Sequence, residues 1–251
     1  MKLHPLLLAL SLALPSGLAL AETVSVAVAA NVQYAFDDLA RAFKQQTGID
    51  AKGSFGSSGK LATQIANGAP FEVFLSADMD FPQELASKGL TSAPPKPYAL
   101  GTLVVWSTRG ADLNRWQQAL ATDGVRKIAL ANPKTAPYGR EALNALNYYK
   151  LTETVTPKLV YGDSIAQASQ YIQSGVAEIG FTAKSVVLAP ELKGQGQWRE
   201  VPKQAYQPIA QGAVLIHQPQ AAPTAAAKRF YDFLFSAPAR RILEQSGYSL
   251  P

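Results

Sequence analysis

TVSVAVAANVQYAFDDLARAFKQQTG, residues 23–48, changes its hydrophobic period halfway along. Up to Ala30 the run is apolar and valine-rich, the pattern of a strand covered on both faces. Beyond it Val32, Ala35, Phe36, Leu39, Ala40 and Phe43 recur at helical spacing; Asn31 stands where an N-cap belongs and Gly48 where a helix closes. The stretch predicts a βα unit, and the fold class follows if the chain repeats it.

It does. IDAKGSF leads through Gly56-Ser57-Ser58 into the helix KLATQIAN, which ends at Gly68. FEVFLSA (71–77) is a strand and Asp78 to Gly89 a helix. KIALANPK (127–134) is followed by the turn Ala136-Pro137-Tyr138-Gly139 and the helix REALNALNYYK. KLVYGD (158–163) is followed by a helix over 164–175 and the strand EIGFTA (178–183). GQGQWREVPKQAYQ (194–207) reads as a loop, IAQGAVLI (209–216) as a strand, and the C-terminal segment as amphipathic helices broken near Pro238. After proline-rich TSAPPKPYA, YALGTLVVWST (98–108) reads as one long apolar strand that can pass from one lobe into another. Alternating strands and helices predict an α/β protein whose sheets are mostly parallel and flanked by helices.

MKLHPLLLALSLALPSGLALA carries a basic start at Lys2, an apolar run too short to span a membrane, and Ala19-Leu20-Ala21. Residues 1–21 are therefore expected to be a signal peptide cleaved after Ala21. With 47% hydrophobic and 16% charged residues the full sequence predicts a packed core, and a chain with no cysteine has no disulfide, thiolate metal site or cysteine nucleophile. The formal charge of +5 is spread singly, without the basic blocks of a nucleic-acid binder, so no nucleic-acid partner is expected. Once His4 leaves with the signal, His217 alone remains, which excludes a histidine zinc site and leaves any Ser-His-Asp triad one histidine to use.

GSFGSSGK (53–60) resembles a phosphate-binding P-loop but fails twice: Ser54 stands at the first glycine, and Leu61 where Ser or Thr should follow Lys60. What survives is a small-residue turn whose free N–H groups favour an anion. Four strand-to-helix junctions have this character: Ala30-Asn31, Ser57-Ser58, Pro137-Tyr138 and Ser164-Ile165. Two precede the crossover strand and two follow it, so they can face one another across a cleft at the carboxyl edges of the sheets. Each hydrogen bond to a charged acceptor contributes about 1.5–3 kcal/mol, so several suffice for micromolar or tighter binding. The same pattern also suits ordinary helix caps.

VAVAANV, SFGSSGKLATQIANGAPFEVFLSAD, LANPKTAPYGREAL and GDSIAQ, in this order, resemble the periplasmic molybdate-binding proteins of ABC importers. The resemblance implies a two-lobed periplasmic-binding-protein fold with a two-strand hinge near Leu100–Leu103 and Gln204–Gln207. Lobe 1 would be 22–100 plus 207–251, and lobe 2 would be 101–206. It implies that Asn31, Ser58, Tyr138 and Ile165 sit at the ligand, the first two donating from side chain and backbone, the others from backbone N–H, with Ala30 adding an amide. Some members place a tyrosine hydroxyl on the ligand where this chain has Ala183, and Asn31, where those members have serine, would compensate. The implied protein is a periplasmic monomer and not an enzyme. It needs no cofactor, takes molybdate or tungstate as ligand, and delivers it to an inner-membrane ABC permease with its ATPase.

Neutral donors suit a fully deprotonated dianion, whereas hydrogen phosphate needs a buried acceptor. Asp163 reads as the cap of the helix from Ser164, and Lys60, Lys134 and Arg140 as a solvated rim that steers the anion. Tyr148-Tyr149 reads as packing, since helix neighbours point about 100° apart. Two alternatives stay open: a secreted hydrolase using Ser58, and a binding protein for another oxyanion such as sulfate.

Overall fold

A computed structural model describes residues 22–219 and 222–251; the expected signal peptide lies outside them. The strands are β1 Thr23–Ala29, β2 Asp50–Gly56, β3 Val73–Leu75, β4 Lys96–Gly101, β5 Leu103–Ser107, β6 Ile128–Ala131, β7 Leu159–Gly162, β8 Ile179–Ala183, β9 Gln197–Glu200 and β10 Ile209–Leu215. The helices are α1 Gln33–Thr47, α2 Ser58–Ala66, α3 Asp80–Ser87, α4 Trp116–Ala121, α5 Pro137–Tyr148, α6 Thr152–Val155, α7 Ile165–Gln173, α8 Lys184–Val187, α9 Ala225–Phe233 and α10 Ala237–Gln245.

They form two five-stranded sheets, ordered β2-β1-β3-β10-β4 and β7-β6-β8-β5-β9. In the first, β1 pairs parallel with β2 and β3, while β10 pairs antiparallel with β3 and β4; four strands share one direction and β10 opposes them. In the second, β6 pairs parallel with β7 and β8, and β5 is the opposing strand, between β8 and β9. The parallel strands deliver their helices from one carboxyl edge per sheet, which is where the expected junctions lie.

Helix α1 buries Ala35, Phe36, Leu39 and Phe43, as its periodicity predicts, and Gly48 ends it with φ +75°, a conformation glycine adopts without strain. Phe43 meets Phe230 of α9 edge-to-face at 5.1 Å, and Phe36 meets the same ring at 6.0 Å. Each such buried ring contributes about 1.5–3 kcal/mol. The second sheet has its own core, in which Trp116 stands perpendicular to Phe181 at 5.7 Å.

Three expectations change. The predicted strand 98–108 is two strands in two sheets: Leu100 is bridged to Ser249 in the first, and the Thr102 carbonyl between them accepts from the Lys184 N–H at 2.9 Å. The predicted loop 194–207 contains β9, an edge strand paired with β5, in which Trp198 faces Trp106. Asn31 does not cap α1: it lies in a short 3-10 turn, Ala30–Val32, and α1 opens at Gln33 with no side-chain cap.

Candidate functional site

The five residues expected at the ligand, Ala30, Asn31, Ser58, Tyr138 and Ile165, line one tight cavity of about 10 Å3 between the carboxyl edges of the two sheets. Ala29, Gly56, Ser57, Ala77, Ala136 and Pro137 complete it, and every lining side chain is uncharged. Ser58, Tyr138 and Ile165 occupy the first or second position of α2, α5 and α7, where backbone N–H groups have no acceptor within the helix. Pro137 opens α5 without losing a needed donor.

The serines divide their work. Ser58 Oγ accepts from the Ala77 N–H at 2.9 Å, which leaves its own hydrogen free. Ser57 is the N-cap of α2, yet its side chain makes no cap bond, and its buried hydroxyl has no partner in the protein. An unmatched buried hydroxyl is unfavourable unless something else takes it up, and here it lines the cavity. The sequence reading chose Ser58 over Ser57; position alone could not say which hydroxyl would be left unpaired.

Asn31 needs correcting as a side-chain donor. Its Nδ2 donates to Gln211 Oε1 at 2.9 Å and to the Tyr248 hydroxyl at 3.1 Å, so both hydrogens are engaged. Its carbonyl accepts from Ser185 Oγ and from the Tyr248 hydroxyl, each at 2.8 Å. Ala183 is fully buried at the end of β8, and the amide group of Asn31 does not stand in for a missing tyrosine there. The sequence reading missed this network. Gln211 also accepts from the Tyr98 hydroxyl at 3.1 Å and donates to the Tyr138 hydroxyl at 3.2 Å. Its only sequence signal is a polar residue within the apolar run IAQGAVLI, followed by a glycine at the bulge in β10. Burial pushes the Tyr248 hydroxyl up to about 12, and it drives Tyr98 and Tyr138 well above the ordinary tyrosine value, so all three are neutral hydrogen-bonding groups.

Of the three cations expected on the rim, Lys60, Lys134 and Arg140, none lines the cavity, and Lys60 and Arg140 are held in ion pairs. Arg140, expected on a solvated rim, meets Asp78 at 3.2 Å, Asp80 at 3.1 Å and Glu141 at 3.2 Å. Asp163 does not cap α7; Ser164 does, through an N–H donated by Gln167, and the Asp163 carboxylate meets Lys60 at 2.8 Å. Tyr149 packs edge-to-face on Trp116 at 5.2 Å, as the packing reading expects.

His217 lies at the wrong edge for a triad. Leu215 pairs with Val73, Val73 with Val26, and Val26 with Gly53, so His217 is beyond the amino edge and Ser57 beyond the carboxyl edge. Six residues of strand rise separate them by about 20 Å. The hydrolase alternative loses its base.

Two helix-flanked sheets, joined by crossing strands and closed on an uncharged cavity at their facing edges, have the architecture of a solute-binding protein. The profile of the bacterial extracellular solute-binding proteins matches residues 24–249, and the chain belongs to that family. It is 40% identical over 250 residues to the molybdate-binding protein ModA of Azotobacter vinelandii, covering 99% of this chain and 98% of that one. It is 41% identical over 244 residues to ModA of Rhodobacter capsulatus, covering 96% and 94%. The solved structure of the Azotobacter vinelandii periplasmic molybdate-binding protein superposes with a TM-score of 0.85 at 34% identity, covering 91% of this chain and 99% of that one.

Proposed function

We propose that the protein captures molybdate, and also tungstate, in the cavity between its sheets and delivers it from the periplasm to an inner-membrane ABC permease with its ATPase. The observation that carries this reading is the unpaired, buried Ser57 hydroxyl in a cavity lined by helix-opening amides and no charge. Such a site suits a dianion that carries no proton. The lining holds no carboxylate to take the proton of hydrogen phosphate, and Asp78, next in sequence to the lining residue Ala77, is already held by Arg140. The relatives' names, which specify molybdate, support the same choice. Size would separate molybdate and tungstate from the smaller sulfate.

Ser57, Ser58 and the amides near Ala30, Asn31, Tyr138 and Ile165 are the donors in this proposal, with no cofactor. Lobe 1 would be 22–100 plus 207–251 and lobe 2 would be 101–206, turning about the strands near Leu100–Leu103 and Gln204–Gln207. The mature chain would begin at Glu22 and act as a monomer.

Calorimetric titration with molybdate, tungstate, sulfate and phosphate tests the reading. One-to-one binding of the first two at micromolar or lower Kd, with sulfate and phosphate far weaker, is the expected result. Equal binding of sulfate, or no binding of any oxyanion, overturns it.

A further inference from the structure

Arg140 was expected to steer the ion, but its surroundings assign it other work. It sits two residues past Tyr138, in the part of α5 that borders the cavity, and reaches across to the first sheet's side. There its guanidinium meets Asp78, in the turn before α3, and Asp80, the first residue of that helix. Asp78 is 5% exposed, and its other oxygen is fixed within its own lobe, accepting from Ser76 Oγ at 3.0 Å and from the Phe81 N–H at 3.4 Å. Arg140 is fixed within its own lobe by Glu141 at 3.2 Å, and the second Glu141 oxygen accepts from Asn144 Nδ2 at 2.9 Å, one turn along α5. Each half is thus set before the lobes meet.

The geometry points to Arg140 as a closure latch: its ion pair with Asp78 forms only when the lobes meet and thereby sets how slowly the anion is released. The inference rests on the binding reading above, with Arg140 acting as a positioning residue that touches no ligand. Separation of the lobes rehydrates Asp78, whereas closure without the guanidinium would bury an unpaired carboxylate, so removing Arg140 penalises the closed form selectively. A steering cation would instead alter association and its salt dependence.

The test is a double-mutant cycle of Arg140→Gln, Asp78→Asn and both together, read by exchange of radiolabelled molybdate. Each single variant is expected to release the anion about tenfold faster with association changed less than about twofold, and the double variant no faster than either single. Additive effects in the double variant, or a change confined to salt-sensitive association, would overturn the latch.

A second measurement needs no ligand. Because the chain has no cysteine, spin labels at Lys228→Cys and Lys193→Cys report one interlobe distance. Arg140→Gln is expected to shift its ligand-free distribution to longer values, and an unchanged distribution also rejects the latch. If the wild type ignores molybdate, the binding reading fails, while this distance still judges the latch.

Discussion

The Gly59 N–H donates to the Thr135 carbonyl at 2.9 Å, joining the second residue of α2 to the loop before α5. A β-carbon on Gly59 would lie 2.8 Å from Phe81 Cζ and 3.0 Å from Thr135 Cα, so this glycine lets two backbones touch. The GSSGK phrase that resembles a phosphate loop owes its glycine to lobe contact. Gly59→Ala should weaken molybdate binding about tenfold or more, mainly through faster release, while the thermal midpoint of the free protein moves little. Unchanged release kinetics would show that the contact does not gate closure.

Ser57 and Ser58 should separate under alanine substitution. Ser57→Ala removes a hydroxyl with no protein partner, so the free protein should keep its stability within about 0.5 kcal/mol while affinity falls about 10- to 100-fold. Ser58→Ala also strips the acceptor from the Ala77 N–H, so it should lower both affinity and stability, the latter by about 1–3 kcal/mol. Urea unfolding alongside calorimetry distinguishes them, and equal behaviour would refute the division of labour.

Gly101, at the end of β4, has the Tyr138 hydroxyl 2.1 Å from where a β-carbon would stand and Gln211 Nε2 at 2.8 Å. Gly101→Ala should destabilise by about 1–3 kcal/mol through overpacking. Adding Tyr138→Phe should recover part of that loss in chemical denaturation, and no recovery would place the strain elsewhere.

Tyr98, Tyr138 and Tyr248 carry folded-state values above the ordinary 10, and burial is the leading cause for each. Their contribution is complete below pH 10 and declines above it, because the unfolded chain loses those protons first. For Tyr248 the loss runs from 10 to about 12. Each group adds a slope of about 1.4 kcal/mol per pH unit in that range. Unfolding free energy should therefore drop steeply between pH 10 and 12, and Tyr248→Phe should make the slope shallower. A flat profile would mean that these hydroxyls ionise without unfolding.

Much of this was legible in the sequence where local pattern and final environment agree. The β1–α1 unit could be read because its period changes at the cavity, and the five cavity-lining residues because each lies at a strand-to-helix junction. What was hidden depended on contacts distant in sequence. β9 is a strand only because β5 offers it an edge. Asn31 looked like a cap because asparagine caps helices, yet Gln211 and Tyr248, about 180 and 217 residues away, claim its side chain. Arg140 looked solvated because its acidic partners Asp78 and Asp80 belong to another helix–strand junction.

The opposing strand of each sheet bears on the order of assembly. The second sheet takes all its strands from residues 103–200, so it can close by pairings within one continuous segment. The first keeps β3 and β4 apart until β10 inserts between them, more than a hundred residues later, and loop closure over that span is slower. A chain threading outward from its N-terminus would therefore complete its later-made sheet first and its earlier-made sheet last. In pulsed hydrogen exchange during refolding, amides of β5, β6 and β8 should gain protection before those of β10.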